Sequence, residues 1–116
     1  MEYPKEQTDE LKHYCDTVSK LVEGNVTFFQ LDKLRLPSGC KPDICDALLC
    51  PTLREGYPSR LYLSQKIDGP YTRNWNCSNA RIGEKNWVAF SWKVNLAGAT
   101  LAQLLVAHLN GFAKEK

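Results

Sequence analysis

The chain has 116 residues, of which 43% are hydrophobic and 24% are charged, and its formal net charge is +2. This composition excludes a disordered chain and predicts one folded domain over residues 1–116 with a single core. The small charge and the scattered basic residues argue against a nucleic-acid-binding protein. No apolar run approaches ~18 residues, and the amino-terminal residues lack the apolar centre of a signal peptide. We therefore expect no membrane partner and a cytoplasmic location.

The first predicted element is a helix near the amino terminus. Thr8 or Asp9 can cap it, and apolar residues recur at helical spacing from Leu11 to Leu21. Gly24 is expected to end it. The remaining face carries charges of both signs, so we expect this helix to cover the rest of the domain on one side only.

The central part of the chain predicts strands that are separated by loops rich in proline and glycine. β-branched and aromatic residues, or an alternation of apolar and polar residues, mark four strand segments: 26–31, 44–50, 60–66 and 87–94. Turn residues such as Asp68-Gly69-Pro70 separate them, and the segment that follows this turn is expected to be irregular.

A second helix is predicted to begin after Thr100, which is a good amino-terminal cap. One apolar stripe of this helix is formed by Leu101, Leu104, Leu105, His108 and Phe112. The predicted order is therefore a helix, an antiparallel meander of three to four strands, an irregular loop and a closing helix. This order predicts an α+β fold.

The five cysteines are the next feature that bears on chemistry. An odd number without a secretion signal argues against a disulfide framework. Cys40, Cys45 and Cys50 are spaced by five residues, which puts neighbouring members on opposite faces of a strand and lacks the paired spacing of zinc modules. We therefore predict no metal site. We interpret Cys15, Cys45 and Cys50 as small buried apolar residues.

The neighbours of Cys77 are polar, whereas a structural cysteine more often lies among apolar residues. Cys77 lies in segment 73–82, RNWNCSNARI, between asparagines and two arginines. A reactive thiol needs partial exposure, and nearby cations such as Arg73 and Arg81 favour its thiolate. We predict that Cys77 is a nucleophile in a loop outside regular structure. The alternative interpretation is an incidental loop thiol.

Several short motifs occur in an order that resembles the ubiquitin-conjugating enzyme family. Segment 48–51 followed by Gly56-Tyr57-Pro58 resembles the strand and Tyr-Pro turn of that family. Cys77 lies about where its active cysteine is expected, and Trp87 lies about where a downstream tryptophan is expected. Compact bacterial members of the family are similar in three segments: 36–40 (LPSGC), 55–63 (EGYPSRLYL) and 86–92 (NWVAFSW).

The resemblance implies a ubiquitin-conjugating-like fold and a corresponding activity. Cys77 would accept a ubiquitin-like protein from an activating enzyme as a thioester and pass it to a target amine, with no metal or organic cofactor. The family's His-Pro-Asn tripeptide is absent, so Asn74 and Asn76 become the candidates that stabilise the oxyanion. The first helix would dock the activating enzyme, with Lys12 and Lys20 on its exposed face.

The bacterial members are encoded beside a ubiquitin-like protein, an activating enzyme and a JAB-type peptidase in antiphage defence systems. The resemblance therefore implies that these three proteins are partners of this chain. It also implies a role in antiviral defence.

Two other functions stay open. The missing His-Pro-Asn tripeptide also fits a non-catalytic subunit that binds or scaffolds a ubiquitin-like partner without forming a thioester. A small cysteine hydrolase that pairs Cys77 with His108 is a third possibility, although no orienting third group is evident. Because His108 lies on the apolar stripe of its helix, we instead interpret it as a partly buried histidine with a hydrogen-bond partner.

Overall fold

The structure, a computed structural model, describes residues 4–52, 56–68, 75, 77–90, 92, 94, 96 and 98–113. In this part of the chain two helices flank six strands. Their order is α1 (Lys5–Leu11), β1 (Thr17–Glu23), β2 (Val26–Arg35), β3 (Ile44–Cys50), β4 (Arg60–Leu63), β5 (Cys77–Ile82), β6 (Lys85–Ala89) and α2 (Leu101–Ala113).

All six strands pair antiparallel in the order β1-β2-β3-β4-β6-β5. The predicted α+β, ubiquitin-conjugating-like fold, with an amino-terminal helix followed by a meander of three to four strands, is therefore wrong. A six-stranded sheet that curls into a half-barrel dominates the described residues, and both helices are short. The difference lies in two segments: the sequence predicts a helix where β1 lies and an irregular loop where β5 lies.

A short helix and a strand replace the first predicted helix. Leu11 ends α1, whereas Val18 and Leu21 lie on β1 and pack into different core clusters, on opposite faces of the sheet. The helical spacing of these three residues is therefore accidental, because one of them lies on a helix and the other two lie on a strand. Gly24 and Asn25 have φ values of 58° and 64°, as in a two-residue hairpin turn. Gly24 thus joins β1 to β2 and does not end a helix.

Alternation along the strands sorts the apolar side chains onto two faces of the sheet. In β4, Leu61 and Leu63 pack on one face and Tyr62 packs on the other, and all three are buried. Residues of α1 and α2 cover the first face and complete the larger core cluster. The second face holds a smaller cluster: Phe28, Leu48, Cys50, Tyr62, Ile82, Trp87 and Ala89.

The sheet curls around this smaller cluster until its two edges touch at one point. The Gly83 N–H, in the turn between β5 and β6, donates to Glu23 Oε1 at 3.2 Å. A Cβ atom at Gly83 would lie 2.7 Å from Leu21 Cδ2, and the φ of Gly83 is +58°. Only glycine accommodates both the backbone conformation and the close approach.

The other predicted strands are confirmed in part. The segments 26–31 and 44–50 lie within β2 and β3. The segment 60–66 shortens to β4. Residues 87–89 of the segment 87–94 belong to β6, whereas its other described residues, 90, 92 and 94, lie outside the strands. Strand propensity and alternation were therefore reliable where the strand lies in the middle of the sheet.

The predicted closing helix is confirmed as α2. At its start the Gln103 N–H donates to Thr100 Oγ1 at 3.2 Å, and the Thr100 N–H donates to Gln103 Oε1 at 2.8 Å. This reciprocal cap satisfies two backbone donors at the helix end. α1 contributes as well, since the Leu101 N–H donates to Gln7 Oε1 at 3.0 Å. The predicted apolar stripe is buried: Leu101, Leu104, Leu105, His108 and Phe112.

Candidate functional site

Cys77 is the first residue of β5, and its backbone pairs with Ala89 of β6. The prediction that it lies in a loop outside regular structure is therefore wrong. Gly83 and Glu84 both have positive φ and form a tight turn that pairs β5 with β6. The alternation of Ala80 and Ile82 with polar residues, followed by a glycine, is the sequence signal that indicates this hairpin.

The predicted oxyanion residues, Asn74 and Asn76, lie outside the described residues, as does Arg73. The structure describes the backbone of Cys77. It also shows Arg81 as an exposed residue of β5. Cys77, the candidate nucleophile, is thus the first residue of an edge strand. It directly follows the polar segment that contains the residues predicted to assist it, Arg73, Asn74 and Asn76.

An aromatic chain anchors the entry into β5. The Trp75 ring lies 5.4 Å from the Phe90 ring at an interplanar angle of 71°, and Phe90 lies 4.9 Å from Phe112 of α2 at 64°. Such edge-to-face contacts stabilise packing beyond the buried area alone. Trp75 is partly buried and packs against the larger cluster. The chain is therefore held against α2 two residues before Cys77.

The other four cysteines are all buried. Burial raises the pKa of the Cys15 and Cys45 thiols to about 11. At neutral pH about one such thiol in ten thousand is then ionised. Cys40 and Cys50 are also enclosed in the core. The interpretation of Cys15, Cys45 and Cys50 as buried apolar residues is confirmed, and among the described residues no cluster of histidine, cysteine or acidic side chains is suited to a metal ion.

His108 forms a buried hydrogen bond that the sequence did not reveal. Its Nε2 atom lies 2.8 Å from Ser59 Oγ, and the exposed fractions of the two residues are 3% and 1%. Burial, and to a smaller extent the charge of Arg60, lower the pKa of His108 to about 4, so the ring is neutral at neutral pH. The interpretation of His108 as a hydrogen-bonded histidine is confirmed, and its burial is more complete than predicted. Because Ser59 occupies Nε2, the pairing of His108 with Cys77 loses support.

The Tyr-Pro motif contributes to the same buried region. The Arg60 guanidinium lies 4.1 Å from the centre of the Tyr57 ring and 5.7 Å from the centre of the Tyr62 ring, while its own residue is 4% exposed. Stacking on aromatic faces favours an arginine over a lysine at such a position. The packing of segment 57–63 therefore involves Tyr57, Ser59, Arg60 and Tyr62.

Lys12 and Lys20 do not share one helix face, so their predicted placement on the first helix is wrong. Their contact with an activating enzyme stays a prediction. Lys12 follows the last residue of α1, and Lys20 lies on β1. Both are exposed, and Lys12 Nζ lies 3.5 Å from Asp9 Oδ1. Lys20 borders an open cavity of about 270 Å³ between α1 and the sheet, together with Thr8, Val18 and Phe29.

The described part of the chain contains no helix that is long and apolar enough to cross a membrane.

Fold alone does not determine the function of a protein, which depends on the residues of its site. Comparison with protein-family models, with curated proteins and with solved structures found no match to this chain.

Proposed function

We propose that this chain is an acyltransferase that accepts a ubiquitin-like protein on Cys77 and passes it to a target amine in bacterial antiphage defence. The observation that carries the proposal is the burial of the other four cysteines. Any thiol chemistry of the chain is thereby left to Cys77. The order of the motifs in the sequence supports the choice of reaction, whereas the predicted fold, which is wrong, does not.

The reaction needs two acyl transfers. The Cys77 thiol first gives its proton to water, and the thiolate attacks the thioester carbonyl that joins the modifier's terminal glycine to the activating enzyme. A new carbon–sulfur bond forms, and the thiolate of the activating enzyme leaves and takes up a proton. A target amine then attacks the Cys77 thioester and forms an amide. The carbon–sulfur bond breaks, and the Cys77 thiolate that leaves takes up the proton lost by the amine. Cysteine suits both steps because its thiolate is nucleophilic and its thioester remains reactive.

Each transfer passes through a tetrahedral oxyanion that a hydrogen-bond donor must stabilise. We assign this role to Asn74 or Asn76, which directly precede Cys77 in the sequence. One such amide contributes ~10²–10³ in rate. No metal or organic cofactor enters the reaction.

The proposed partners are a ubiquitin-like protein, its activating enzyme and a JAB-type peptidase of the same operon, in the cytoplasm. Lys12 and Lys20 remain the proposed contacts to the activating enzyme, now as exposed residues at the end of α1 and on β1. Reversing both charges is expected to slow loading without unfolding the domain, because exposed charges contribute little to stability.

A loading assay tests the proposal. The protein is mixed with ATP, the activating enzyme and the ubiquitin-like protein encoded beside it, and the products are separated without reductant. We expect a band that is shifted by the mass of the modifier and disappears on reduction. Cys77→Ala abolishes this band, whereas Cys40→Ala, a matched change at a buried cysteine, retains it. A reducible band that survives Cys77→Ala contradicts the assignment.

The second candidate is the non-catalytic binding subunit. The position of Cys77 in a paired strand, rather than in an open loop, favours it. This function predicts that the ubiquitin-like protein binds without any reducible adduct. It also predicts that Cys77→Ser leaves the dissociation constant unchanged.

A further inference from the structure

β5 is one of the two edge strands of the sheet, and Cys77 is its first residue. One side of β5 pairs with β6, and no other described strand pairs with the opposite side. We propose that this open side binds the carboxyl-terminal tail of the ubiquitin-like protein as an added strand. The inference rests on the proposed function and specifies how the acyl donor is recognised.

The turn between β5 and β6 determines which backbone groups of β5 point outward. Gly83 and Glu84 have φ values of 58° and 66°, as in a two-residue turn whose flanking residues exchange both hydrogen bonds. Those flanking residues are Ile82 and Lys85. Hydrogen-bonded and non-hydrogen-bonded pairs alternate along an antiparallel ladder. The next residue, Arg81, therefore directs its N–H and C=O away from β6, toward the open side.

The opposite edge of the sheet leaves this side accessible. β1 reaches the hairpin at the turn residue Gly83, whose N–H donates to Glu23, and this turn lies at the end of β5 that is distant from Cys77. Among the described residues, no hydrogen bond joins β1 to the strand residues of β5. Asn79 and Arg81 are exposed. A six-residue strand spans roughly 20 Å, so a tail of about six residues matches the length of β5.

The direction of pairing follows from the position of Cys77. An added strand that runs antiparallel to β5 has its carboxyl end beside the first residue of β5. That arrangement brings the terminal glycine carbonyl to the backbone position of Cys77, the residue whose thiolate must attack it. Main-chain hydrogen bonds supply the affinity in such strand addition, so an extended tail can bind with little side-chain selection. The guanidinium of Arg81 additionally favours an acidic or amide side chain on the incoming strand.

The decisive variant is Arg81→Pro, which removes an outward N–H and keeps the pairing between β5 and β6, because proline is tolerated on an edge strand. Loading of Cys77 in the assay above is expected to slow at least tenfold. Arg81→Ala keeps the N–H and removes the guanidinium, so it serves as the reference from which the loss of loading in Arg81→Pro is measured. Val22→Pro places the same substitution on the other edge strand, β1, and is expected to load normally. Normal loading of Arg81→Pro would overturn the strand-addition proposal and leave the function of Cys77 intact.

Amide hydrogen exchange provides a readout that does not depend on catalysis or on the proline variant. The intact ubiquitin-like protein is expected to protect the Arg81 N–H, and a copy that lacks its last six residues is not. If the wild type forms no thioester but shows this protection, the acyltransferase function fails and strand addition stands. Absence of protection overturns strand addition. Protection by added copies of this chain alone also overturns it, in favour of self-association.

Discussion

Two regions that carry the resemblance to conjugating enzymes differ sharply in the folded protein. Segment 57–63, which contains the Tyr-Pro motif, lies mostly inside the fold, where Ser59 and Arg60 are nearly fully enclosed. β5, which begins at Cys77, is an edge strand whose residues Asn79 and Arg81 are exposed. The Tyr-Pro motif therefore stabilises the domain, whereas the proposed nucleophile begins a strand with exposed residues. Substitutions in the first region should change stability, and those in the second should change loading.

The largest effect on stability is expected from a core residue of β4. Leu63→Ala removes a fully buried side chain from a strand in the middle of the sheet. Such truncations cost about 2–5 kcal/mol, because a cavity remains. Asn79→Ala on β5 is the matched change at the exposed edge, and it is expected to cost less than about 0.5 kcal/mol. Urea denaturation of both variants checks the contrast, and equal losses would contradict it.

Acid is expected to destabilise the domain through His108. Its pKa is about 4 in the folded state and about 6.5 in an unfolded chain, so between these pH values the unfolded chain binds more protons. The contribution to stability is fully present above about pH 6.5, falls as the pH drops and levels off below about pH 4. The total loss is of the order of 3 kcal/mol.

His108→Gln tests this pH dependence, because glutamine does not titrate. The free energy of unfolding, measured by urea denaturation between pH 7 and pH 4, should fall less steeply in this variant than in the wild type. His13→Gln, at an exposed position, should keep the wild-type slope. A slope that is unchanged in His108→Gln would show that His108 is not the responsible group.

A smaller effect is expected from Ser59→Ala. The substitution removes the hydrogen-bond partner of the buried His108 Nε2 atom. An unsatisfied buried polar atom costs about 1–3 kcal/mol. Ser19→Ala, on the exposed part of β1, provides the control and should be nearly neutral. Comparable melting temperatures for the two variants would mean that the Ser59–His108 bond contributes little.

Local patterns predicted several elements correctly, and one pattern was misleading. Thr100 and the apolar stripe predicted α2 because capping and helical periodicity depend on residues close in sequence. Segment 44–50 predicted β3 because strand propensity also depends on residues close in sequence. Leu11, Val18 and Leu21 produced a helical period although only Leu11 belongs to a helix. The turn chemistry of Gly24-Asn25 was the competing signal, and it prevails because β1 gains a partner strand in β2.

The candidate site was predictable in part. The burial of Cys15, Cys45 and Cys50 was predicted correctly, because free cysteine behaves as a small apolar side chain. The bond between Ser59 and His108 was not predictable, because it joins residues 49 positions apart. The position of Cys77 on an edge strand was likewise not predictable from the sequence, since strand order depends on pairing along the whole sheet.

The sequence by itself determined the closing helix and the central strands, because caps and alternation act over a few residues. Only the tertiary structure decided that β5 lies beyond β6, at the edge of the sheet, and that the Tyr-Pro segment is enclosed. The physical reason is that burial and hydrogen-bond partners are properties of contacts between distant segments. The curl of the sheet, closed at Gly83 and Glu23, illustrates this, since neither residue reveals its partner in the sequence.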